Sequence, residues 1–297
     1  MRLVLDPNTG ASKANSIILT TSPANTNEIA FETPSAVQSG IKLNHEFDVI
    51  SGQRVDLVLD FDACKSVVKR GNSGAYGLKP VVNVIPTVLN GIDGFINKAS
   101  LGSHVQVSAQ QNGKVIRSTV PNANGEFFLG RLIPGNYDVV ITADDHAATV
   151  VGAVPVVSTT SVVKLSSDIA PIDLPTISLT GSISGMATLN PASATEIAYV
   201  AAQQSFAAGP TVTVKYQGVD VSGAVSGAYT LSQLPVAAAR YAPYSATLPI
   251  LFTIPATAPG TGMYRVQASA NGYTSQFLPS VNISTANQVG VNFTLIP

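Results

Sequence analysis

The chain has 297 residues, 16 Lys and Arg against 17 Asp and Glu, three His, one Cys and no Trp. A formal charge of -1 offers no electrostatic footprint for a phosphate backbone, and a lone Cys makes neither an internal disulfide nor a thiolate zinc site. Nucleic-acid binding and structural zinc are therefore excluded. Charged residues make up 11% of the chain where about a quarter is usual, so Ser, Thr, Asn and Gln must wet much of the surface.

Residues 1–7 read as a strand and a turn, with no basic, apolar leader at this start. Over residues 55–62, Val55, Leu57, Leu59 and Phe61 alternate with Asp56, Asp60 and Asp62, which predicts a strand with one core face and one wet face. Val105, Val107 and Ala109 begin another strand, Asn112-Gly113 supplies a hairpin turn, and Val115, Ile116 and Val120 return. Asn124-Gly125 and Pro134-Gly135-Asn136 bound two further strands. Helical periodicity is scarce. Its best candidate is 194–206, with Ile197, Val200 and Ala201 at helical spacing. The long uncharged stretch between Arg240 and Arg265 is broken by Pro243, Pro249, Pro255 and Pro259, so a transmembrane segment is not expected there.

An internal repeat organises the rest. The segment 125–146 recurs at 227–236 and resumes, after an interruption, at 262–273; both copies carry Ala-Gln-Gln upstream, at Ala109 to Gln111 and Ala202 to Gln204. One supersecondary plan used twice predicts an all-β chain of tandem antiparallel β-sandwich domains. The expected units are 1–87, a truncated N-terminal β-domain; 88–176, a first sandwich; and 177–297, a second, elaborated sandwich. Its insertion near 237–261 is expected at an exposed loop tip.

Gly125-Glu126-Phe127-Phe128-Leu129, Pro134-Gly135, Tyr137-Asp138-Val139 and Ala143-Asp144-Asp145-His146 resemble the carboxypeptidase regulatory-like family of small transthyretin-like sandwiches. That resemblance implies a noncatalytic module of carbohydrate-binding-like fold that spaces, adheres or binds. Gln38-Ser39-Gly40-Ile41-Lys42-Leu43, Asp60-Phe61-Asp62-Ala63-Cys64-Lys65-Ser66, Arg70-Gly71-Asn72-Ser73-Gly74 and Leu78-Lys79-Pro80-Val81 resemble the C-terminal half of the bacterial family domain of unknown function 4382. This second resemblance implies a cell-envelope or extracellular location, as an outer-membrane lipoprotein whose N-terminal lipid signal precedes the given chain. It also implies that an upstream Cys, where the parent protein has one, is the disulfide partner of Cys64.

Nucleophilic catalysis needs a base beside a nucleophile, and His45, His104 and His146 sit in no recognisable motif, so neither an enzyme nor a cofactor is expected. Asp56, Asp60 and Asp62 are the candidate Ca²⁺ ligands. A straight strand offers only a row of carboxylates, however, with Lys65, Lys69 and Arg70 nearby to neutralise them, which favours a charged, solvated face. Seven of the nine Tyr fall in the last unit. Alternation assigns Tyr199, Tyr216, Tyr229, Tyr264 and Tyr273 to the core or its edges, leaving Tyr241 and Tyr244, with Arg240, as candidates for contacting a glycan or a cell-surface protein. An isopeptide bond from Lys215 to Asn282 or Asn292, assisted by Glu196, is weighed against a solvent-facing Lys215, which is favoured because burying an unreacted Lys is costly.

Overall fold

The computed structural model describes residues 2–10, 13–19, 28–33, 40–43, 57–71, 74–79, 81–86, 90–158, 160–193, 195–221 and 226–297. Val55, Asp56, His45 and the Gln38-Ser39, Asn72-Ser73 and Pro80 motif positions lie outside the described residues.

Among the described residues the regular secondary structure is almost wholly β-strand. In the first sandwich, Glu126–Gly130, Gly91–Phe95 and Val162–Lys164 form one sheet, the last strand running parallel to Gly91–Phe95. The facing sheet has the order Lys114–Thr119, Gln106–Gln111, Gly135–Thr142, Thr149–Val156. Asn112 and Gly113 both take positive φ, 52° and 75°, as the two-residue hairpin turn requires. Gly125 lies at φ +85°, and a Cβ there would collide with the Ile96 carbonyl, so only glycine fits that turn. Ile92, Val107, Phe127, Leu129, Val139 and Ile141 meet between the sheets as a buried core.

The second sandwich repeats this order strand for strand. Gly227–Pro235, Thr180–Leu189 and Phe293–Leu295 form its smaller sheet, again with the last strand parallel to the middle one. Thr211–Asp220, Ile197–Ser205, Met263–Ser269 and Gln276–Asn282 form the larger. Even the irregularities recur: the ladder shifts between Ala109 and Gln110 as between Ala202 and Gln203, and between Tyr137 and Val139 as between Tyr264 and Val266. The buried Tyr137 and Tyr264 donate from their hydroxyls to the Ile133 and Pro235 carbonyls, at 2.7 and 2.8 Å, so each repeat satisfies the same core tyrosine in the same way.

Three sequence expectations are corrected here. Residues 197–205 form a strand where the spacing suggested a helix: Ile197, Ala198, Val200, Ala202, Gln203 and Gln204 are all buried. A central strand covered on both faces loses its alternation, and periodicity then misleads. In Leu57–Phe61, which pairs antiparallel with Val82–Pro86, the faces are reversed: Leu59 and Phe61 stand 41% and 45% exposed, while Asp60 turns to Arg117 of the first sandwich. The insertion is no exposed loop tip. Its strand Arg240–Pro243 adds in parallel to Thr149–Val156, and Ala242 and Ile250 enter the first core, with Tyr244, Leu248 and Phe252 packed against it. This arm of the second sandwich closes the core of the first. No helix among the described residues is long and apolar enough to cross a membrane.

Candidate functional site

Two features bear on function: the junction that joins the sandwiches, and the cleft beside it. The junction is a buried seam. Val140, Ala148 and Val150 of the first sandwich pack on Phe206, Val212 and Ala239 of the second. Within this apolar patch the Gln110 amide forms a two-way bond with the backbone of the neighbouring unit, Nε2 donating to the Thr213 carbonyl and Oε1 accepting from the Thr213 N–H, both at 2.8 Å. The Thr213 hydroxyl donates to the Gly113 carbonyl at 2.5 Å. Gln204 fixes the root of the arm: Nε2 donates to the Ala237 carbonyl and Oε1 accepts from the Ala239 N–H, both at 2.9 Å. Buried amides are tolerated where every bond is made, and here those bonds fix how one sandwich meets the next. The repeated Ala-Gln-Gln was legible in the sequence as a motif; its joining role was not.

The N-terminal unit ties in at the same place. Asp62 caps the single helical turn Ala63–Ser66, accepting from the Lys65 N–H and pairing with the Lys65 ammonium at 2.9 Å. That ammonium also donates to the Val115 carbonyl at 3.2 Å, and the Tyr199 hydroxyl donates to the Lys65 carbonyl at 3.3 Å. Val67–Arg70 continues the larger sheet of the second sandwich, with Lys69 opposite Val219, and the Arg70 guanidinium pairs with Asp220 at 3.1 Å.

A cleft of about 400 Å³ opens beside the seam, lined among others by Cys64, His104, Gln106, Asp144, Lys215 and Tyr216. His104 Nδ1 lies 2.8 Å from the Asp144 carboxylate, and His146 Nδ1 lies 2.7 Å from the Asp144 carbonyl. The Cys64 thiol takes a long contact from Gln106 Nε2 at 3.5 Å; among the described residues no imidazole hydrogen-bonds it. A histidine–carboxylate pair is therefore present, and among the described residues no thiol or hydroxyl hydrogen-bonds its imidazole. The Tyr216 hydroxyl is buried beside Cys64, and burial pushes its pKa well above the usual phenolic range, so it stays protonated. Lys215 is half-buried in this cleft, not solvent-facing. Burial lowers its pKa from 10.5, and the nearby Asp144 charge offsets this only in part. Asn282 and Asn292 are bound elsewhere, to the Ser284 and Met186 N–H groups.

The residues singled out in the sequence have the following places. Arg240 turns back within the arm, donating to the Phe252 carbonyl at 3.1 Å with its guanidinium over the Phe252 ring. Tyr241 packs on Phe206, ring centroids 5.2 Å apart, and its hydroxyl lies where a side chain on residue 152 would be; Gly152 makes that approach possible. Tyr244 leans on the first core while its N–H donates to the Gly152 carbonyl at 2.9 Å. These rings brace the arm. Asp60 faces Arg117 and Asp62 faces Lys65, so the two carboxylates have separate cations, and no group of three His, Cys, Asp or Glu side chains gathers among the described residues.

Residues 1–80 match the family described as Domain of unknown function (DUF4382). No curated protein matches the chain. Among solved structures, a chain of a type II cohesin–X-dockerin complex from Acetivibrio cellulolyticus is similar at 21% identity over 29% of this chain and 56% of that one, with a TM-score of 0.24. The present chain thus spans little more than half the length of that relative. An adhesin candidate from Bacteroides ovatus is similar at 12% identity over 67% of this chain and 84% of that one, TM-score 0.23. A cell-adhesion protein candidate from the same organism follows at 10%, 65% and 86%, TM-score 0.19. All three TM-scores lie below 0.5, so the function proposed next rests on the chain's own geometry.

Proposed function

We propose that the chain is a noncatalytic protein of the cell surface whose role is to hold binding surfaces at a fixed spacing, as an adhesive or structural module. The observation that carries this reading is the seam: Gln110 and the Arg240–Pro243 arm tie two sandwiches of one plan together through buried bonds and a shared core. The noncatalytic part of the reading is supported by the cleft, where among the described residues His104 bonds Asp144 and Cys64 is contacted by Gln106 and by no imidazole. The units 1–87, 88–176 and 177–297 are the proposed domains, the first of lipoprotein type and the other two of regulatory-like type. Cys64, exposed and free in this chain, is the proposed partner of a Cys upstream of it.

The test is genetic complementation in the producing bacterium, with antibody labelling of intact cells. Labelling at the surface is expected, together with loss of attachment on deletion and full rescue by a chain carrying both His104→Ala and Asp144→Ala. Labelling only after lysis, or failure of that double variant to rescue, overturns the proposal.

A further inference from the structure

The shared register lets corresponding edge residues be matched. Tyr137 stands opposite Val154 and Tyr264 opposite Val281; past the shared shift, Val139 stands opposite Val151 and Val266 opposite Leu278. Phe277, Leu278 and Pro279 therefore occupy the places of Val150, Val151 and Gly152. In the first sandwich this edge is covered by the arm, Val150 opposite Tyr241 and Val151 opposite Ala242, and both valines are 0% exposed. In the second sandwich nothing among the described residues pairs beyond Gln276–Asn282, and Phe277 and Leu278 are 52% and 41% exposed. Arg265 covers one side of the Phe277 ring, at 4.0 Å from its centroid.

Neighbouring strand residues point to opposite faces of a sheet, so an object resting on one face would cover Phe277 or Leu278 but not both. A strand lying along the edge reaches both, as the arm lies beside Val150 and Val151 and completes a cover that the seam and the first core begin. Pro279 narrows the choice of occupant. The Tyr244 N–H donates to the Gly152 carbonyl, so residue 152 turns its backbone groups outward; by register Pro279 does the same, and it has no N–H to offer. A second copy pairing edge to edge would bring two such prolines into one ladder, the usual means by which exposed edges avoid self-association. We infer that Gln276–Asn282 is a docking edge for an extended segment of another polypeptide, entering as a parallel strand with the chemistry of the arm: an aromatic residue over Phe277, then a small residue over Leu278. This deepens the binding role proposed above by naming its surface and its kind of partner. Its failure would leave surface location and rescue by the double variant unaffected.

The probe is a fluorescent synthetic peptide of residues 238–254, titrated into the full chain and followed by anisotropy, with sedimentation velocity on the chain alone. Saturable binding is expected below about 1 mM, weakened at least roughly tenfold by Phe277→Lys with Leu278→Lys and tightened by Pro279→Gly, which restores the missing donor. No saturation with either the natural chain or Pro279→Gly overturns the inference. So does binding indifferent to the two lysines, which would place the peptide on the first edge by exchange, or a dimer of the chain that the two lysines dissolve.

Discussion

Strands Thr149–Val156 and Gln276–Asn282 hold the same place in two sandwiches of one strand order, yet on its outer side the first has a neighbour and the second, among the described residues, has none. At one, Gly152 admits the Tyr241 side chain and the arm lies beside two valines that are fully buried with the seam and the first core; at the other, proline stands in the glycine's place and two large apolar side chains stay half exposed. Repetition of a fold fixes cores and turns, while a few residues along each edge decide what the repeat will join. The pair Tyr137 and Tyr264 shows what is held constant, and the pair Gly152 and Pro279 shows what varies.

The contrast is most heavily stressed by removing the arm. Replacing residues 238–260 with a short Gly-Ser linker takes Ala242 and Ile250 out of the first core, and a loss of about 4 kcal/mol or more is expected in denaturant unfolding, confined to the first sandwich. Equal loss in both sandwiches would mean that the arm is no special brace of the first. Gln110→Leu comes next: it strands the buried N–H and carbonyl of Thr213, at a cost of roughly 2–4 kcal/mol. Tyr137→Phe and Tyr264→Phe should each cost about 1 kcal/mol, and should match one another, because each removes one hydroxyl bond from one buried carbonyl.

The smallest effects should have opposite signs. Arg117 stands opposite Ala109, and Lys215 stands opposite Ala202, at the same position of the two repeats. Arg117 has Asp60 as its ion-pair partner, whereas among the described residues Lys215 makes no ion pair. Arg117→Met should lower the melting temperature and Lys215→Met should raise it, by about 2 °C in each case. The pH dependence follows from the lowered Lys215 pKa. Between that lowered value and 10.5 the unfolded chain binds more protons than the folded one, so stability rises with pH across that window, and Lys215→Met should flatten the rise. A melting curve that falls across the window, or is unchanged by the substitution, removes Lys215 from the account.

How much of this was legible in the sequence differs from element to element. The all-β class and the tandem sandwiches follow from alternation, turn residues and the repeated segment, because those signals are local. The strand 197–205 was not legible, since burial on both faces erases the period that marks a strand. The reversed face of Leu57–Phe61 was hidden for a related reason: alternation shows that two faces differ, but not which of them meets an ion-pair partner as distant in sequence as Arg117. The insertion, dense in proline, reads as loop because an added parallel strand of four residues has too little length to leave a pattern. Cys64, His104, Asp144 and Lys215 are far apart in the chain, and only the packing of distant segments brings them to one cleft.

The account turns on whether two matching edges differ as described, and hydrogen exchange of the full chain reads that difference at single amides. The Val150 N–H, turned toward the arm, should exchange as slowly as core amides such as that of Val139, while the Phe277 N–H at the matching position exchanges close to the rate of an unprotected amide. Equal protection of Val150 and Phe277, whether both slow or both fast, would contradict it.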